Sequence, residues 1–215
     1  MNIKPVFRTQ PGHEHEPMEM TFIQIDLETL SLKPSAVVIS LGAVAYNRQH
    51  GVISAIEMLF DLDEQIKAGR HINGETLTWW MFQSEEARQA AFGTDNVGFN
   101  RRIQSAEAVT KFNEWYFNVT HDFERVHSPQ EVYMMANGND FDLPILESYL
   151  GSVPYYYRKK ICWRSLTNLY RGEYTYPEGL IAHSAIHDAH SQANAHMQLL
   201  NKYPERLSWV KSKPA

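Results

Sequence analysis

The chain has 215 residues, which fits one generous domain better than two. Hydrophobic residues at 43% and aromatics at 12% supply a sizeable core, and 11 Gly with 10 Pro exclude a low-complexity chain. A net charge of −5 argues against nonspecific coating of duplex DNA, because neutralising phosphates takes a strong positive excess.

Residues 1–18 read as a polar, Pro-containing tail without the apolar core of a signal peptide. The folded domain is expected over 19–206, with a second tail over 207–215. The run TFIQID from Thr21 is a short apolar strand that stops at acidic residues. A second run, AVVISLGAVAYN from Ala36, is rich in β-branched residues, and a third, AIEMLFDLD from Ala55, alternates at Ile56, Met58 and Phe60. Asn47 and Gly51 mark the turn between the last two, so the three strands predict an antiparallel meander. Helical spacing follows over Glu75 to Phe92 and over Ser105 to Val119. Then come a strand from Glu131, a helix FDLPILESYL ending at Gly151, a short strand around Lys160 to Trp163, a polar loop, and a last helix over Ser184 to Lys202. The single cysteine, Cys162, excludes an internal disulfide and a multi-cysteine zinc site and suits a reducing cytoplasm. No apolar stretch approaches the roughly 20 residues of a membrane helix. The order of elements predicts an α/β fold with a mixed sheet and flanking helices.

Acidic residues punctuate this pattern. Asp26 and Glu28 stand at i and i+2 at the end of the first strand, where alternation puts both on one face. Paired carboxylates keep their charge best around a divalent cation, although a surface acidic pair has the same spacing. Asp140 and Asp142 come just after a strand, where a helix begins, a position that also suits an N-cap. His183 and Asp188 are separated by four residues, and Asp188 lies within the last helix. A five-residue step turns a helix by roughly 140°, so His183 is expected before the helix, approaching from another side. His183 and His187 have the spacing of a zinc pair, but Ser184 stands where a zinc peptidase needs Glu. His187, His13, His15 and His190 read as surface histidines. Arg158, Lys159, Lys160 and Arg164 form the dense basic cluster, suited either to a phosphate backbone or to solvent.

D-x-E at a strand end, an Asp directly after an aromatic at a helix start, and H-x4-D on the last helix together resemble the DEDDh 3′-5′ exonucleases. The likeness runs from Thr21 to Tyr203. The segment TLTWWMFQSEEAR, from Thr76 to Arg88, is similar to a subgroup containing phage exonuclease A and a mycobacterial-type exoribonuclease. The resemblance implies a ribonuclease H-like mixed β-sheet flanked by α-helices, and an exonuclease domain over 19–206. It implies two Mg²⁺ or Mn²⁺ ions about 4 Å apart, held by Asp26, Glu28, Asp142 and Asp188, with His183 as general base. Leu27 and Thr29 are then expected near the last sugar and base, and Trp79 and Trp80 are candidates to stack on an unpaired base. The activity implied is release of 5′-mononucleotides from the 3′ end of single-stranded DNA or RNA, or of 3′ overhangs. A cytoplasmic homodimer is the accompanying expectation, with no membrane partner. Two alternatives stay open: another ribonuclease H-like nuclease of the endonuclease type, and a catalytically inactive nucleic-acid-binding domain.

Overall fold

Thr21–Thr29 forms β1, and its side chains are buried on both faces, which marks a strand at the centre of a sheet. The computed structural model describes residues 20–93, 102–126 and 131–203; both expected tails lie outside them. β1 pairs antiparallel with β2 (Val38–Asn47), and β2 with β3 (Gly51–Phe60), which is the expected meander. On its other side β1 pairs in parallel with β5 (Val132–Ala136), and β5 with β6 (Lys160–Cys162). A two-residue strand, β4 (Arg102–Ile103), completes the order β4-β3-β2-β1-β5-β6. The mixed six-stranded sheet and its flanking helices are the predicted α/β class.

Alternation along β1 divides the core. Ile23, Ile25 and Leu27 point to one face, where they meet Phe112 and Tyr116 of α4 (Ser105–Thr120) and Leu143 and Leu146 of α5 (Asp142–Leu150). Phe22 points to the other, under Trp163 of α6 (Trp163–Leu169) and Ala189, Ala193 and Leu199 of α7 (Ala185–Lys202). Gln24, Asp26 and Glu28 follow Phe22 on that second face. A smaller cluster of Leu30, Val37, Ile39, Trp80 and Ala91 lies beyond the end of β1, beneath α2 (Gly74–Met81) and α3 (Glu85–Phe92).

Some helices depart from the sequence expectation. The continuous helical pattern over 75–92 is two helices, because the Ser84 side chain accepts from the Ala87 N–H and starts a new N-terminus. Asp61 does the same for α1 (Leu62–Lys67), accepting from Glu64 N–H, so the acidic run that reads as a strand end is a cap. Trp163, expected at the end of the short strand, instead opens α6 as a fully buried anchor, and the helix takes up the start of the expected polar loop.

Candidate active site

β1 and β5 run in parallel and end side by side, and the segments leaving their carboxyl ends diverge around a cleft. The cleft encloses about 600 Å³ and is lined by Asp26, Glu28, Asp142, His183, Asp188 and Gln192, among others. The acids and the histidine singled out from the sequence thus converge, from β1, from the first turn of α5, from the first turn of α7 and from the loop before α7.

Each carboxylate is held differently. Asp142 is the first residue of α5 and only 3% exposed, and its Oδ1 accepts the Leu27 backbone N–H at 3.1 Å. Asp140, the other aspartate of that segment, is exposed and outside the cleft lining. Asp26 accepts from Gln192 Nε2 at 3.0 Å. Asp188 Oδ2 accepts the backbone N–H of His183 at 2.9 Å, and this ties the loop to the helix. His183 precedes the helix and its N-cap residue Ser184, and it adopts φ 61°, a left-handed conformation that L side chains seldom take. One ligand atom each from Glu28, His183 and Asp188 lies within 4.8 Å of the others.

Crowding shows in the acidities. Burial, then the charges of Asp142, Glu28 and Asp188, raises the Asp26 carboxyl well above its ordinary value. Burial and the nearby Asp188 and Asp142 push Glu28 up to about 8, and burial pushes Asp142 up to about 7 despite the Leu27 N–H. Asp188 is raised by burial and lowered by its hydrogen bond from His183. Among the described residues no lysine or arginine makes an ion pair with any of the four. Arg164 at the cleft wall lowers Asp142 through its charge but is ion-paired to none of the four, and hard oxygen donors that repel one another in this way fit divalent cations such as Mg²⁺ or Mn²⁺.

Two residues of the site escaped the sequence reading. Gly42 lies opposite Asp26 in the β1–β2 register, and a Cβ there would fall 2.2 Å from the Ala185 carbonyl oxygen. Only glycine lets the first turn of α7 sit on the sheet and bring Asp188 over β1. Gln192, one turn after Asp188, reaches Asp26; its spacing from Asp188 was the available signal. His187, expected as a surface residue, is partly buried and accepts the Ile181 backbone N–H at 3.1 Å, so it closes the loop that carries His183.

A second cleft of about 640 Å³ adjoins the first and shares Leu27, Glu28 and Phe141 with it; Thr29, Trp79 and Trp80 also line it. Leu27 and Thr29 are buried, and the Thr29 hydroxyl is taken by the Ser31 carbonyl at 2.8 Å. The two tryptophans part company. Trp80 is 3% exposed, with its Nε1–H donated to the Thr29 carbonyl, whereas Trp79 is 43% exposed and meets the His183 ring edge-on at 4.8 Å. The basic cluster disperses too. Lys159 pairs with Glu131 and Lys160 with Glu147, and of the four only Arg164 lines the acidic cleft.

A sheet of this order, with acids gathered at the ends of β1 and β5, defines a ribonuclease H-like fold of the exonuclease type. E. coli exonuclease I in complex with a dA16 oligonucleotide shares it with a TM-score of 0.56 at 14% identity, over 88% of this chain and 42% of that one. Cell-death related nuclease 4 gives 0.52 at 14% identity, over 86% of this chain and 65% of that one. Residues 21–200 match the model of the 3′-5′ exoribonuclease Rv2179c-like domain, and the chain belongs to that family. The exodeoxyribonuclease of Enterobacteria phage T4 is 30% identical over 137 residues, covering 60% of this chain and 55% of that protein. The chain therefore spans about half the length of the curated relative it matches. Both findings agree with the resemblance carried by the three motifs. No helix among the described residues is long and apolar enough to cross a membrane.

Proposed function

We propose that the protein is a two-metal-ion 3′-5′ exonuclease that releases 5′-mononucleotides from single-stranded 3′ ends. The observation that carries this reading is the convergence of Asp26, Glu28, Asp142 and Asp188 in one cleft, where among the described residues no lysine or arginine forms an ion pair with any of them. These four carboxylates would hold the ions, which when bound neutralise the scissile phosphate and acidify a water. His183 removes the proton from the attacking water. Its backbone N–H is fixed by Asp188 Oδ2, which holds the imidazole at the cleft edge, close to Glu28. The exposed face of Trp79 receives an unpaired base, while Trp80 supports the strand end from below. Leu27 and Thr29 line the floor under the terminal sugar and base. Arg164, its guanidinium held by the Asn137 carbonyl at 2.7 Å, offers a positive charge to a phosphate entering the cleft.

The test is digestion of 5′-end-labelled single-stranded DNA and RNA, side by side, with Mg²⁺, Mn²⁺ or EDTA. A ladder shortening from the 3′ end, abolished by EDTA, is expected with at least one of the two polymers. Internal cuts, or digestion that persists in EDTA, would overturn the proposal. The family description names an exoribonuclease and the phage relative an exodeoxyribonuclease, so the sugar preference is a direct result of the same gel.

A further inference from the structure

Asp26 does not stand alone on its strand. Gln192 Nε2 donates to its Oδ1 at 3.0 Å, and Gln192 Oε1 accepts from Gln24 Nε2 at 2.7 Å. Gln24 is fully buried and Gln192 is 7% exposed. Their positions follow from the two periodicities: Gln24 is i−2 to Asp26 on the same strand face, and Gln192 is i+4 to Asp188 on the same helix face.

The direction of this chain is forced by chemistry. In the ionised form that a cation ligand takes, the Asp26 carboxylate only accepts, so Gln192 turns its NH₂ to Asp26. Its carbonyl then faces the sheet, where the Gln24 NH₂ satisfies it. The chain ends at Gln24 Oε1, a buried acceptor without a partner among the described residues. Leaving such an atom unsatisfied costs stability, so two apolar side chains would serve packing better than two amides. Something other than stability favours the pair.

We propose that Gln24 and Gln192 are positioning residues for metal uptake, an inference that rests on the two-metal reading above. The amide chain presents a donor to Asp26 Oδ1 and so fixes the rotation of that carboxylate in the cleft wall. Through Gln192 it also ties Asp26 on β1 to the helix that carries Asp188, so two of the acids keep a fixed spacing.

Gln192→Met and Gln24→Met keep side-chain length and remove the donors. Mn²⁺ binding is measured by titration calorimetry on each protein without substrate, alongside thermal melts without metal. Gln192→Met is expected to weaken Mn²⁺ binding roughly 10- to 100-fold, the usual effect of losing a partner that orients a ligand. Its metal-free melting temperature should match or exceed that of the wild type. Gln24→Met should weaken binding less, and the double variant no more than Gln192→Met alone, because both amides act through one chain. If either variant folds and binds Mn²⁺ as the wild type does, while the wild type binds it well, the positioning role is overturned alone. If the wild type binds no Mn²⁺, the two-metal reading falls and this proposal falls with it.

Discussion

His183 and His187 are four residues apart, yet they do different things. His183 sits at the mouth of the acidic cleft with its backbone N–H on Asp188, whereas His187 uses Nδ1 to hold the loop at Ile181. His183→Ala is expected to lower the exonuclease rate by roughly 10² to 10⁴, the range for loss of a general base. Metal binding should stay near the wild-type value. His187→Ala should act on the loop, with a smaller loss of rate and a lower melting temperature. Steady-state rates with calorimetric metal titration separate the two, and a dead His187→Ala beside an active His183→Ala would reverse the assignment. The second motif gives a parallel test. Asp142 is buried against Leu27, and Asp140 is exposed outside the cleft. Asp142→Asn should therefore abolish turnover while Asp140→Asn leaves it nearly intact, and the opposite pattern in the same assay would refute this register.

At the scale of elements, the site depends on how closely α7 approaches β2. Gly42 has the Ala185 carbonyl where a Cβ would lie, and neither atom belongs to a flexible side-chain end. Gly42→Ala must push the first turn of α7 outward, at a cost of about 1–3 kcal/mol for overpacking. For a domain of this size that corresponds to a drop in melting temperature of very roughly 2–12 °C. Because Asp188 rides on the displaced turn, activity at temperatures where the variant is folded should fall further than stability alone explains. Full activity in a folded Gly42→Ala protein would mean that the close approach is not needed for the site. Trp80 offers a contrast, since its indole is core. Trp80→Ala should cost about 3–5 kcal/mol, while Trp79→Ala should leave the melting temperature within a few degrees and raise KM.

Over the whole molecule the four crowded acids, Glu28 and Asp142 among them buried, make the metal-free protein sensitive to pH. Glu28 is pushed up to about 8 and Asp142 to about 7 in the folded state, above their ordinary values of 4.5 and 3.8. Between those limits the folded protein keeps protons that the unfolded chain has released. Stability then declines as pH rises through that window. Thermal melts in EDTA should show a falling midpoint from about pH 5 to about pH 8. Bound Mg²⁺ or Mn²⁺ favours the ionised carboxylates, so its stabilising effect should grow over the same range. Asp26→Asn or Asp188→Asn removes one of the repelling charges. Each should leave the EDTA midpoint level with or above the wild type and reduce the gain from metal. A wild-type midpoint that is flat with pH, or a metal gain equal in wild type and variants, would show that these acids neither strain the apo fold nor bind the ion.

Much of the site was legible in the sequence because it depends on local periodicity. A period of two puts Asp26 and Glu28 on one strand face, a helix start after Phe141 presents Asp142, and a five-residue step keeps His183 off the helix face of Asp188. The meander and the α/β class follow from the same periodicities. Which tryptophan enters the core was not legible: neighbours on a helix differ by about 100°, and only the position of α2 over Thr29 decides for Trp80. The fate of Lys159 and Lys160 likewise depended on Glu131 and Glu147, carboxylates from other elements. Gly42 looks like any glycine in an apolar strand until α7 lies against it. The chain from Gln24 through Gln192 to Asp26 joins residues 166 and 168 positions apart. Strand and helix periods set the direction of each side chain along its own element. Contacts between elements arise from packing, and packing decided which groups meet.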